Sequence, residues 1–174
     1  MTQQHQPSKR QWIKGAAATV GTLSAGTINL AASTALTVNE GTFAGSLAGS
    51  GSLIKATTGI LTLTGANLSF TGATTINAGT LIVGNVGSLG SGAVTVNGGT
   101  LDLNYATIGA VANVITSNGG TIIGGQTTAS VTTTGSSSVD TVLTGTDGLS
   151  KADAGTLTLT TPNFYTGATA ASGA

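Results

Sequence analysis

Residues able to carry out chemistry are few in this chain. Its 174 residues include five acidic and five basic side chains, one histidine and no cysteine. The acids are Glu40, Asp102, Asp140, Asp147 and Asp153, scattered and mostly near glycine. Carbohydrate cleavage or calcium binding needs gathered carboxylates with basic partners or further oxygen ligands. The nearest approach to a cluster is Asp140 with Asp147 in a Thr/Gly-rich stretch, a pair that could meet a cation. Asp147-Gly148, however, reads first as a turn. Nucleophilic catalysis needs a base beside the nucleophile, and His5 lies in the amino-terminal tail. Without cysteine there is neither thiol chemistry nor a disulfide frame. The pairs Gly98-Gly99, Gly119-Gly120 and Gly124-Gly125 open no helix, so they are not phosphate loops. A net charge of zero gives nucleic acid no electrostatic footprint. The expectation is a protein that is not an enzyme, with no catalytic, metal or cofactor-binding residues and no cofactor.

The elements that would position any site are more legible. Threonine occurs 34 times and glycine 28 times, yet 39% of residues are hydrophobic and mean hydropathy is +0.33, which is not a disordered profile. Thr, Gly and Asn are poor helix formers. Alternation runs through the chain instead, as in Leu61-Thr62-Leu63-Thr64, Val94-Thr95-Val96, Leu101-Asp102-Leu103 and Leu157-Thr158-Leu159-Thr160. Such runs put apolar side chains on one face of a short strand. No run approaches the ~18 apolar residues of a membrane helix, so no transmembrane segment is expected.

One motif recurs between these strands: Asn-x-Gly-Thr followed by an apolar residue. It begins at Asn39, Asn77, Asn97 and Asn118, with its glycine at Gly41, Gly79, Gly99 and Gly120. These eight residues are the structural turn and repeat positions of the chain. Asn and Gly accept left-handed backbone conformations. Asn-Gly between strands is a hairpin signal, but a constant interval near 20 residues favours a solenoid in which each strand pairs with its equivalent in the next coil. The predicted fold is all-β, a right-handed parallel β-helix (β-solenoid) of about 7–8 coils at ~20 residues per coil, forming a rod of about 35 Å. Equivalent Asn side chains are expected to form ladders. Phe43, Phe70, Phe164 and Tyr165 are expected in or at the ends of the core.

A longer repeat lies over the short one. Leu53-Ile54-Lys55, Gly59, Leu61-Thr62-Leu63-Thr64, Asn67 and Thr71-Gly72-Ala73-Thr74 recur as Leu149-Ser150-Lys151, Gly155, Leu157-Thr158-Leu159-Thr160, Asn163 and Thr166-Gly167-Ala168-Thr169. Lys55 and Lys151 thus hold matched positions, expected to be solubilising charges on an outer face. The stretch from Gly49 to Leu81 resembles the passenger-associated transport repeat of autotransporter-type surface proteins of Gram-negative bacteria, with repeats at about 49–83 and 145–174. The resemblance implies β-helix coils in an exported passenger and a scaffold or stalk role. It also implies a protein secreted or associated with the outer-membrane cell surface, with a cell-surface or host-surface ligand as partner. Such proteins carry a C-terminal translocator barrel, for which these residues leave no room. The chain is therefore expected to be a fragment, a degenerate relative, or a short solenoid that ends on another subunit.

Residues 1–18 differ in kind and are read as a separate basic segment ahead of a 19–174 β-helix. Ser8-Lys9-Arg10-Gln11-Trp12-Ile13-Lys14 is similar to a twin-arginine export signal, with Lys9 in place of the first arginine. The alternative is a cap over the first coil, since solenoid ends need covering. The function expected is a non-catalytic scaffold or stalk segment of an adhesin-type passenger. One alternative is a self-assembling fibre subunit, a homo-oligomer formed by end-to-end coil stacking. A minor alternative is an ice-binding-type Thr-rich solenoid. That reading needs Thr-x-Thr pairs in adjacent coils, whereas the clear pairs, Thr62 with Thr64 and Thr158 with Thr160, lie about five periods apart.

Overall fold

Alternating Thr/apolar runs closed by glycine corners build short strands that pair only in parallel among the described residues, each with its counterpart one turn away. The computed structural model describes residues 10–13, 18–22, 26–104 and 110–173. The hairpin reading of Asn-Gly is thereby excluded there, and the molecule is a β-solenoid of about seven turns with ~20 residues per turn.

Three flanks run along it. The first is a four-stranded sheet of β1 (Arg10–Ile13), β3 (Thr27–Leu30), β5 (Ser46–Gly49) and β8 (Ser69–Phe70). The second stacks β2 (Ala18–Thr22), the start of β4 (Ala35–Phe43), β6 (Ser52–Lys55), β9 (Thr74–Ile76), β11 (Val94–Val96), β13 (Ile115–Asn118), β15 (Val131–Thr134), β17 (Leu149–Lys151) and β19 (Thr169–Ala171). The third stacks the end of β4, β7 (Ile60–Leu63), β10 (Thr80–Val83), β12 (Thr100–Asp102), β14 (Thr121–Thr127), β16 (Ser137–Leu143) and β18 (Leu157–Leu159). β4 joins the second and third flanks by bending at Gly41, whose φ of 126° lies where side chains are strained. A single turn of 3₁₀ helix, Val86–Leu89, is capped by the Asn85 side chain, which accepts from Gly87 N.

Register sorts side chains into files. Leu61, Leu81, Leu101, Ile122 and Val139 stack inward on the third flank. Leu36, Leu53, Thr74, Val94, Ile115, Val131 and Leu149 do so on the second. With Phe43 and Phe70, both fully buried, the aliphatic members of these files form one continuous apolar core. Phe164 departs from the sequence expectation of a core aromatic, being 69% exposed, while Tyr165 packs against the core. Of the basic segment read at residues 1–18, Arg10–Ile13 forms β1, paired onto β3. Residues 1–9 and 14–17, including most of the export-signal-like pattern, lie outside the described residues.

Candidate functional site: the two transport-type repeats

The eight turn residues serve two different physical needs. Gly41 and Gly79 have positive φ, 126° and 67°. Gly99 and Gly120 do not; they are there for space. A Cβ on Gly99 would stand 2.7 Å from the Gly79 carbonyl oxygen, and one on Gly120 would stand 2.4 Å from Val96 Cγ1. The asparagines are not left-handed either: outside glycine, positive φ occurs only at Ser33 and Asn104 among the described residues. Asn77, Asn97 and Asn118 are exposed and form a ladder instead. Asn97 Nδ2 donates to Asn77 Oδ1 at 2.9 Å, Asn118 Nδ2 donates to Asn97 Oδ1 at 2.9 Å, and the Thr134 hydroxyl donates to Asn118 Oδ1 at 2.6 Å. Asn39, one turn before the longer repeat, contributes its carbonyl to the Thr57 hydroxyl at 3.3 Å.

The lysines overturn the outer-face expectation. Lys55 occupies an inward file between Val38 and Ile76 and has no exposed surface. Its position follows from strand alternation: Leu53 and Lys55 share the buried face of β6. The ammonium reaches the turn and donates to the carbonyls of Thr57 and Ala78, the latter in the next coil at 3.3 Å. Burial pushes its pKa below the ordinary 10.5, while the nearby Glu40 carboxylate pulls it back up. Lys151, in the same file, donates to the Asp153 carbonyl at 2.9 Å and forms an ion pair with the Asp153 carboxylate. Pattern reading failed here because a lysine in an alternating strand is assigned outward by chemistry although the period puts it inward; the Leu-x-Lys spacing was the available signal.

Asn67 is the second fixture of the first repeat. Fully buried, it accepts from Leu47 N of the preceding coil at 2.6 Å and donates through Nδ2 to the Ser88 carbonyl of the following one. It therefore links three successive turns. Asn163, its counterpart, likewise accepts from Leu143 N at 2.8 Å, but its Nδ2 donates to Thr161 O in its own turn.

The acids do not converge. Asp102 accepts from Asn104 N at 2.8 Å, Asp140 accepts from the Thr160 hydroxyl at 2.6 Å, and Asp153 serves Lys151 and Gly135 N. Among the described residues there is no group of three or more His, Cys, Asp or Glu able to hold a metal ion. Likewise, no described helix is long and apolar enough to cross a membrane. Two clefts, of about 450 and 280 Å³, flank the exposed Leu68 and are lined by small polar, glycine and aliphatic residues. The outer surface of the second flank is uncharged between β9 and β15. Thr75, Thr95, Thr116 and Thr132 stack there in adjacent coils beside the amide ladder. The sequence pairs Thr62/Thr64 and Thr158/Thr160 did not reveal this array.

A parallel solenoid whose matched repeats each fix a lysine and an asparagine inside the wall defines a structural class rather than a reaction. Comparison with known proteins places the repeats: the family model described as passenger-associated-transport-repeat matches residues 53–83 and 149–173. These two segments match that repeat, which is consistent with an autotransporter passenger-type β-solenoid. No curated protein and no solved structure matches the chain.

Proposed function

We propose that the chain is a non-catalytic rod segment, a stalk or adhesin-type scaffold, of a passenger exported to the surface of a Gram-negative bacterium. The observation that carries the reading is the seating of two passenger-associated transport repeats within one continuous solenoid. The dispersed carboxylates, and clefts beside Leu68 that no charged side chain lines, support a role in spacing rather than in catalysis. The test is display. Inserted between a signal peptide and an autotransporter translocator in a Gram-negative host, the segment should reach the cell surface as a folded, protease-resistant rod. Retention in the periplasm, or display as a protease-sensitive chain, refutes the reading.

A second reading, ice binding, is favoured by one observation: the stacked threonines of the second flank repeat at the strand spacing of about 4.8 Å on an uncharged face. Thermal hysteresis measured on wild type and on Thr95→Tyr/Thr116→Tyr tests it. Activity in wild type that vanishes in the variant supports ice binding, and absence of hysteresis in wild type removes it.

A further inference from the structure

We propose that the Asn97-Gly98 corner is a self-modification site, where the chain closes a succinimide, releases ammonia and leaves an aspartate or isoaspartate in the middle of the amide ladder. The proposal goes beyond the stalk reading and does not rest on it.

An asparagine loses its amide when the next backbone nitrogen attacks its side-chain carbonyl carbon. The attack needs little bulk on the following residue, exposure to water, and a nitrogen whose N–H is not held by an acceptor. Glycine follows asparagine at two places in the sequence, Asn97-Gly98 and Asn118-Gly119. Glycine leaves the nitrogen open and the backbone free to turn. All four residues are exposed. A Cβ added to Gly98 would meet nothing nearer than 3.4 Å, and one on Gly119 nothing nearer than 3.8 Å. The two side chains are also held alike, since each donates to one ladder neighbour and accepts from another. The backbone separates them. Asn118 closes β13 in register with Thr134, and Gly119 N donates to the Thr134 carbonyl at 2.9 Å and to the Ser137 hydroxyl at 3.2 Å. Asn97 lies one residue past β11, and Gly98 N has no acceptor among the described residues. One Asn-Gly pair is locked, and the other is free to react.

The step needs only water and hydroxide. Hydroxide removes the Gly98 amide proton, and the nitrogen bonds to Asn97 Cγ. The Cγ–Nδ2 bond breaks, and Nδ2 takes a proton from water and leaves as ammonia, which restores the hydroxide. Water then adds to either ring carbonyl and the ring C–N bond at that carbonyl breaks, giving isoaspartate or aspartate. Nothing is oxidised or reduced. Both products lose the donor that Asn97 gave to Asn77 and turn a carboxylate towards Asn77 Oδ1, while Asn118 Nδ2 keeps its acceptor. The outer second flank, uncharged between β9 and β15, gains a negative charge at mid-rod. Isoaspartate also lengthens the backbone between β11 and β12. Gly99 follows there with a Cβ position only 2.7 Å from the Gly79 carbonyl oxygen, so the longer corner strains the register of β12 against β10 and β14.

Peptide mass spectrometry with an isoaspartate assay tests this on the 174-residue chain, incubated in mildly alkaline buffer with and without denaturant. In the folded chain, Asn97 should convert at least ~10-fold faster than Asn118, because attack at Gly119 first breaks two hydrogen bonds. In denaturant the two sites should react at similar rates. Gly98→Ala should slow conversion at Asn97 with circular dichroism unchanged. Ser137→Ala, which removes one acceptor from Gly119 N, should speed Asn118 and leave Asn97 as it was; if that variant fails to fold, the folded-to-unfolded ratio of the two wild-type sites still decides. Equal rates at both sites in the folded chain, an Asn97 that stays intact when folded but reacts when unfolded, or conversion indifferent to Gly98→Ala would overturn the proposal.

Discussion

Thr74 is a buried residue whose hydroxyl oxygen has no hydrogen-bond partner, in an inward file between Leu53 and Val94. An unsatisfied buried hydroxyl costs about 1–3 kcal/mol, and replacing it with a methyl removes that cost. Thr74→Val should raise stability by about 1 kcal/mol, read as a higher thermal midpoint. Lys55 behaves in the opposite way. Its stem fills the core and its ammonium satisfies two carbonyls, so Lys55→Ala should destabilise by ~2–4 kcal/mol in chemical unfolding. The same residue sets a pH dependence. Its folded pKa lies below the unfolded 10.5, so between those two values the unfolded chain holds more protons. This contribution is flat at lower pH and raises stability as pH climbs from the lowered pKa towards 10.5. Unfolding curves across that alkaline window should show the slope in wild type and lose it in Lys55→Met.

Strand positions were legible in the sequence because a period of two survives in such short runs, as Leu61-Thr62-Leu63 and Val94-Thr95-Val96 illustrate. The corners were less legible, because glycine there answers to neighbouring coils that sequence reading does not see. Gly72 stacks on Gly51, and an added Cβ would stand 1.6 Å from the Gly51 carbonyl oxygen. Gly65 meets Gly45 in the same way at 1.7 Å. Gly98 is roomier, with its nearest neighbour, Asn77 O, at 3.4 Å. Gly72→Ala should therefore cost at least ~2 kcal/mol and Gly98→Ala close to nothing, a contrast measurable by thermal unfolding. The site was legible to a similar degree. The Asn-x-Gly-Thr spacing located the amide ladder. The inward lysines were signalled only by their Leu-x-Lys spacing, and the three-turn reach of Asn67 was hidden, since its partners lie about 20 residues away in the chain.

Along the whole molecule the interior changes character. The file that reads Val38, Lys55, Ile76 and Val96 continues as Ser117, Thr133 and Lys151. Buried hydroxyls hold the later turns through bonds such as Ser117 Oγ to the Gly120 carbonyl at 3.0 Å and Thr127 Oγ1 to the Val111 carbonyl at 2.8 Å. Hydroxyls contribute less than the aliphatic side chains they replace. Among the described residues, the final turn has no fully covered one from Lys151 onward. In a solenoid, stability is a sum over turns and their interfaces. Hydrogen exchange should accordingly be fastest in β18 and β19 and slowest around β7 to β11, where Asn67 and the Leu/Val files lie.

The inter-turn hydrogen bonds point along the rod. Tension applied at the two ends loads successive turns in series, so the rod does not yield everywhere at once. It peels rung by rung from the hydroxyl-rich end until the pull reaches Asn67, where one side chain grips the turns on either side. The first transport repeat is then a mechanical stop, and a stretched molecule should pause there in a single-molecule force trace.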